Sequence, residues 1–400
     1  MGSVFSAVAK SGPAGLVLGA ILGSLLGIFV LVGFIVFRRW YRARYFRRRN
    51  QRTVALRAQW NDIVSGRVAP QDWCFDSLDA EIVETILLDS IEVSAAENLP
   101  ALLECLRTSG LLDMLIYQAR TAKSWKQRAA LLALGRTRAR EAIPALAAGL
   151  DSKSEETRVT VVRALGRTGI TEAAIPILDR IVEGRLDAPE RSLKNSIANC
   201  CRNHPRVLVN YLDQTQGPAR ELLARVLAEV ASPELGEELL VLAADPLPEV
   251  RASAARALGN TNTPYTLPAL HSLATDPEWF VRLRAVVALG QIENVDKIGV
   301  LLRSLCDANR HVRQRAAWAL ARMEPQLEQI LQDVVATKDN YALQAFISEL
   351  ERSGAIEKII SGLSGSAKHS APAALREVVE GARKSVEMSG KVRAAAGAGH

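Results

Sequence analysis

The chain has 400 residues, 48% of them hydrophobic and only 5% aromatic, with a formal charge of +7. That charge is unevenly placed: residues 1–61 hold ten bases and no acid, 361–400 hold six bases and three acids, and 62–360 hold 34 bases against 40 acids. A body of net −6 argues against nucleic-acid binding, and a composition dominated by Leu and Ala, with Gly and Pro at segment boundaries, predicts an all-α protein.

The first element is an uncharged run over residues 14–37, following a short segment 1–13. As a helix it is ~36 Å long, enough to span a bilayer. A cleavable signal peptide carries its bases before a shorter apolar core. Here they follow it, at Arg38, Arg39, Arg42, Arg44, Arg47, Arg48 and Arg49, then Arg52 and Arg57, while only Lys10 precedes it. The positive-inside rule then predicts one span in a cell (inner) membrane, N-terminus outside and the rest cytoplasmic. The Arg cluster is suited to anionic lipid headgroups. Gly15, Gly19, Gly23 and Gly27 fall on one stripe at i+4 spacing, a pattern that lets membrane helices approach closely and so predicts a homo-oligomer or a docked membrane protein. The 39 Arg against 11 Lys point to a bacterial source of high GC content.

Residues 38–76 read as a basic juxtamembrane segment and connector, with a turn at Ala69-Pro70. Helical apolar spacing begins near residue 77 and continues to about 360, giving about nine helical pairs. The clearest part is 245–321. Asp245-Pro246 leads to Val250-Arg251 and Ala257-Leu258-Gly259; Asp276-Pro277 leads to Val281-Arg282 and Ala288-Leu289-Gly290; Asp307 leads to Val312-Arg313 and Ala319-Leu320-Ala321. The period of 31 marks stacked supersecondary units. Asp caps a helix and Pro suits its first position, so Asp-Pro predicts a helix start. The small position is Gly135, Gly166, Gly259 or Gly290 but also Ala228 or Ala321. Because Ala rarely adopts positive φ, what is required there is small size for close helix packing. The Arg recurs as Arg158, Arg191, Arg220, Arg251, Arg282 and Arg313. Regular recurrence of Asp245/Arg251, Asp276/Arg282 and Asp307/Arg313 predicts a structural ladder of hydrogen bonds between units. Residues 361–400 turn to Gly, Ala, Ser and Lys and are predicted to be mostly disordered.

These motifs, with Ala142-Ile143-Pro144 and Ala174-Ile175-Pro176, resemble HEAT repeats of the PBS-lyase HEAT-like subtype. The resemblance implies an α-solenoid of antiparallel helix pairs whose second helices line the concave side. On those helices, positions off the core face carry Arg163, Arg167, Arg225, Arg256, Arg284, Arg315, Trp318 and Arg322. Arg and Trp are frequent binding hot spots, so this row is the candidate partner surface, suited to an acidic segment.

Catalytic motifs are missing. His204 beside Cys200 and Cys201 sketches a metal site, but the second ligand pair that zinc requires is absent, and no cofactor is expected. Three readings follow. The first is a membrane-anchored, non-catalytic scaffold that binds a protein partner. The second is an enzyme or non-catalytic relative like the phycobilin lyases, and the third a nucleic-acid binder like the HEAT-like glycosylases; neither has a supporting motif here.

Overall fold

The computed structural model describes residues 12–69, 73, 77–95, 97–261 and 263–355. The disordered tail expected over 361–400, and the segment 1–11, lie outside these. All regular structure among the described residues is helical. The chain divides into two units, residues 1–122 and 123–400.

In the first unit, α1 (Gly12–Ala58) runs unbroken for 47 residues, ~70 Å at the helical rise. The helix thus continues past the apolar run 14–37 into the basic segment without a break. The physical reason is composition: no Gly or Pro occurs between Gly33 and Gly66, so nothing interrupts the ladder of backbone hydrogen bonds. The apolar half is bare, with Phe29 76% and Leu26 64% exposed. The basic half is held against α3 (Ser77–Val93) by side chains. Arg52 donates from Nε and Nη2 to the two oxygens of Asp79, at 2.8 and 3.1 Å. Arg49 lies 3.4 Å from Glu81. Leu56, Ile63 of α2 (Trp60–Val64), Trp73 and Leu87 are buried, and α4 (Leu99–Thr108) and α5 (Leu111–Thr121) complete the unit. A fork-shaped ion pair with Asp79 only 4% exposed fixes the orientation of α1 on α3.

The second unit is a stack of helical hairpins. It opens on α6 (Ser124–Thr137) and continues with seven pairs: α7 (Ile143–Ala147) and α8 (Glu155–Thr168), α9 (Ile175–Val182) and α10 (Glu190–Cys201), α11 (Arg206–Leu212) and α12 (Gly217–Val230), α13 (Gly236–Ala243) and α14 (Pro248–Thr261), α15 (Thr266–Leu273) and α16 (Trp279–Gln291), α17 (Ile298–Leu305) and α18 (Arg310–Leu320), α19 (Leu327–Ala336) and α20 (Asn340–Ser353). The even-numbered helices are the second members of each pair and pack one on the next from α6 to α20. Their cores follow the sequence period: Val250, Ala254 and Leu258 on α14 are all at most 2% exposed.

The small position is where consecutive second helices meet. A Cβ at Gly135 would lie 2.6 Å from Ala164 Cα; at Gly166 it would lie 2.5 Å from Ser196 Cα; at Gly259 it would lie 2.7 Å from Ala288 Cβ. None of these glycines has positive φ. Ala228 and Ala321 fill the same role at 1% and 4% exposure. The Asp-Pro pairs sit slightly outside the helices they precede, because α14 begins at Pro248 and α16 at Trp279. Asp245, Asp276 and Asp307 each accept the N–H two residues on, at 2.9, 2.9 and 2.7 Å, closing the turn that leads into the helix.

Candidate interaction surface

The Asp/Arg ladder joins each unit to the next. Arg251 donates through Nε and Nη2 to both oxygens of Asp276, 25 residues on, at 2.7 and 3.0 Å. Arg282 does the same to Asp307 at 2.6 and 3.0 Å, and Arg220 reaches Asp245 at 2.8 and 2.6 Å. The remaining Nη1 of Arg251 and Arg282 binds carbonyls of its own turn, at Asp245 and Asp276. Burial alone would raise the Asp276 and Asp307 pKa, but the guanidinium bonds and the turn N–H outweigh it and hold both carboxyls below 3.8. The earlier units are less regular. Arg158 reaches Asp187, 29 residues on, and Arg191 is exposed without an ion pair among the described residues.

The ladder stops at Arg313. Its Nη1 binds the carbonyls of Asp307 and Ala308 as below, at 2.7 and 3.0 Å. The residue 25 positions on is Lys338 instead of Asp. Asp339 turns its carboxylate to the N–H groups of Tyr341 and Ala342, at 2.8 and 3.1 Å, and so caps α20. The Arg313 guanidinium lies 5.5 Å from the centre of the Tyr341 ring.

The row of cations on the second helices is not uniform. In its middle the Arg side chains have internal partners: Arg225 lies 2.9 Å from Glu190 and 3.9 Å from Glu221, and Arg256 lies 3.6 Å from Glu229, which also takes Lys194 at 2.5 Å. Towards the two ends the pattern changes. Arg163, Arg167 and Arg202 share one shallow depression with Glu229. At the other end Arg284, Arg310 and Arg315 are exposed and have no ion pair among the described residues. Arg315 and Trp318 line a groove of about 1060 Å³ across α16, α18 and α20, together with Trp279, Arg310, Arg313 and Tyr341. Trp318 is covered on one face by Arg322, whose guanidinium carbon is 3.7 Å from the ring centre. Trp279 and Tyr341 are 42% and 70% exposed, and the Trp279 ring lies 6.1 Å from that of His311. Sequence reasoning missed Trp279, Arg310 and Tyr341 because they stand at the start of their helices, away from the offsets that define the row. It missed Glu190 and Glu221 too, although Glu221 and Arg225 are an i,i+4 pair readable from spacing.

No cluster of potential metal ligands occurs among the described residues. His204 is exposed, whereas Cys200 and Cys201 are buried. Burial pushes their thiols up to about 11 and about 12, so both remain protonated and unreactive at neutral pH. Cys200 Sγ donates to the Leu165 carbonyl at 3.3 Å. The glycines of the stripe all lie in α1, and a Cβ at Gly23 or Gly27 would meet nothing within 4 Å.

Among curated proteins none matches this chain. Two solved structures are similar over most of their length. One is an engineered protein, 19% identical, covering 82% of this chain and 99% of its own at a TM-score of 0.34. The other is the YibA protein of E. coli, 17% identical, covering 75% and 96% at a TM-score of 0.31. Neither score is high enough to carry an argument. The family model of HEAT repeats matches residues 112–193, 205–290 and 236–321. Across residues 112–321, this chain is a HEAT-repeat protein.

Proposed function

We propose that this protein is a membrane-anchored, non-catalytic scaffold whose HEAT-repeat stack binds a protein partner, through an acidic segment, at the cytoplasmic membrane surface. The apolar half of α1 is long enough to cross a bilayer and is fully bare. The Arg cluster that follows it would contact anionic headgroups, and the open glycine stripe would pack on a second membrane helix. The observation that carries the binding claim is the contrast along the second helices. Cations in the middle of the face are neutralised from within, whereas Arg284, Arg310 and Arg315 have no carboxylate partner among the described residues, and Arg310 and Arg315 line a groove with the exposed rings of Trp279 and Tyr341. Such cations retain their field for a partner of opposite charge.

The reading of this chain as a PBS-lyase-type repeat protein or enzyme has no catalytic sequence motif to support it. Photo-crosslinkers placed at Arg163 and Arg284 in the full-length membrane protein test the scaffold. The expected product is a discrete protein adduct from at least one position. Adducts containing nucleic acid, or a coloured product on co-expression with bilin synthesis, would replace the scaffold by one of the other readings.

A further inference from the structure

Among the described residues the ladder has a last rung with no carboxylate acceptor. At Arg220, Arg251 and Arg282 the side chain is answered by an Asp 25 residues on, in the next unit. At Arg313 that position is Lys338, whose backbone is left-handed at φ 57°, and Asp339 is committed to capping α20. Arg313 is nevertheless oriented as the others are, because Nη1 binds the two turn carbonyls and the Tyr341 ring stands beside the guanidinium. Its Nε and Nη2, the edge that grips a carboxylate at Arg251 and Arg282, form no hydrogen bond among the described residues. Arg313 lines the groove across α16, α18 and α20. The repeat has thus prepared a two-pronged carboxylate receptor and left it open.

We infer that this groove binds an Asp or Glu side chain of a partner protein, which seats on Arg313 and completes the ladder from outside. The inference rests on the scaffold reading and gives it a location and a chemistry. Three features favour an acidic protein segment. A planar guanidinium fixed by its own turn meets a carboxylate in the same fork geometry as the rungs below it. Arg310 and Arg315 add positive charge on the same wall, while the one acid there, Glu349, is engaged by Arg352 at 2.9 Å. The exposed rings of Trp279 and Tyr341 offer apolar surface to the residues beside the acid. A nucleic acid would need a continuous basic track, which is interrupted further along the face at Glu190, Glu221 and Glu229. The chain's own last 45 residues are also unsuited, since 356–400 carry seven bases against four acids.

The test uses the full-length protein in detergent micelles and fluorescence anisotropy of a short labelled peptide rich in Asp with one Leu, beside the same peptide with Asn for Asp. Expected is salt-sensitive binding of the Asp peptide alone. Arg313→Lys keeps the charge but loses the fork and should weaken binding about tenfold or more. Arg315→Gln, on an exposed side chain with no hydrogen bond or ion pair among the described residues, should weaken it in the same direction and decides the matter if Arg313→Lys misfolds by circular dichroism. Wild-type binding in both folded variants overturns the inference, as does tighter binding of a single-stranded oligonucleotide than of the Asp peptide. If those variants bind normally but Arg163→Glu with Arg202→Glu does not, the groove is wrong and the scaffold stands. If the wild type binds no Asp peptide, both fall.

Discussion

An Arg on the ladder serves two masters: Nη1 ties down the turn of its own unit and the Nε/Nη2 edge holds the next unit's Asp. Arg282→Ala removes both and strands Asp307, which is only 8% exposed in its side chain. The expected loss is ~1–3 kcal/mol, read as a lower thermal midpoint of the full-length protein. The same pair makes a pH prediction. Asp276 and Asp307 titrate below 3.8 in the folded chain, so the stability they contribute is present above the unfolded value and lost as pH falls through the lowered folded one. The difference in midpoint between wild type and Asp307→Asn should therefore be constant near neutrality and shrink as pH drops below 3.8. A difference that persists unchanged in acid would mean that the carboxylate charge contributes nothing.

Between elements, the small residue sets how near two second helices can come. Gly→Ala inside a helix normally gains up to ~1 kcal/mol from propensity. At Gly166 the new Cβ would meet Ser196 Cα at 2.5 Å, a backbone atom that cannot rotate away; at Gly290 the nearest atom, Ala319 Cβ, is 3.2 Å away. Gly166→Ala should lower the thermal midpoint and Gly290→Ala should leave it nearly unchanged. Equal effects at the two sites would refute close approach as the reason for glycine. Just beyond the small position, Thr137, Thr168 and Thr261 are buried and bond the carbonyl three residues back, at 2.7, 2.6 and 3.1 Å, closing the helix end without exposing it.

At the scale of the whole molecule, the proposed topology follows from one lysine before the apolar run and nine arginines after it. A reporter fused after His400 should be active only in the cytoplasm; activity on the outer side would sink the topology and the partner class with it. Because α1 passes from its apolar half into the first unit without a break and is clamped by Arg52 and Asp79, that unit would be held close beneath the bilayer. The glycine stripe makes a separate claim. Gly19→Leu with Gly23→Leu should remove crosslinked homo-oligomers from membranes, and an unaltered pattern would reduce the stripe to composition.

The repeat, its period, the second-helix cores and the close-packing role of Gly135, Gly166 and Gly259 were legible in the sequence, because a helix face and a 31-residue period are properties of spacing alone. The register of the ladder was not. Spacing pairs Asp245 with Arg251 within one motif, whereas the folded chain joins Arg251 to Asp276, since stacking brings the next turn within reach of the guanidinium. The extent of α1 was legible in part, through the absence of Gly and Pro after Gly33, but its clamp on Asp79 depends on how α3 returns. Charge along the second helices shows the limit most clearly. Arg225 and Arg315 both stand off the core face of a second helix, yet one is neutralised by Glu190 and the other lines the open groove. An ion pair requires its two ends within a few ångströms, and only the stacking of neighbouring helices decides which residues those are.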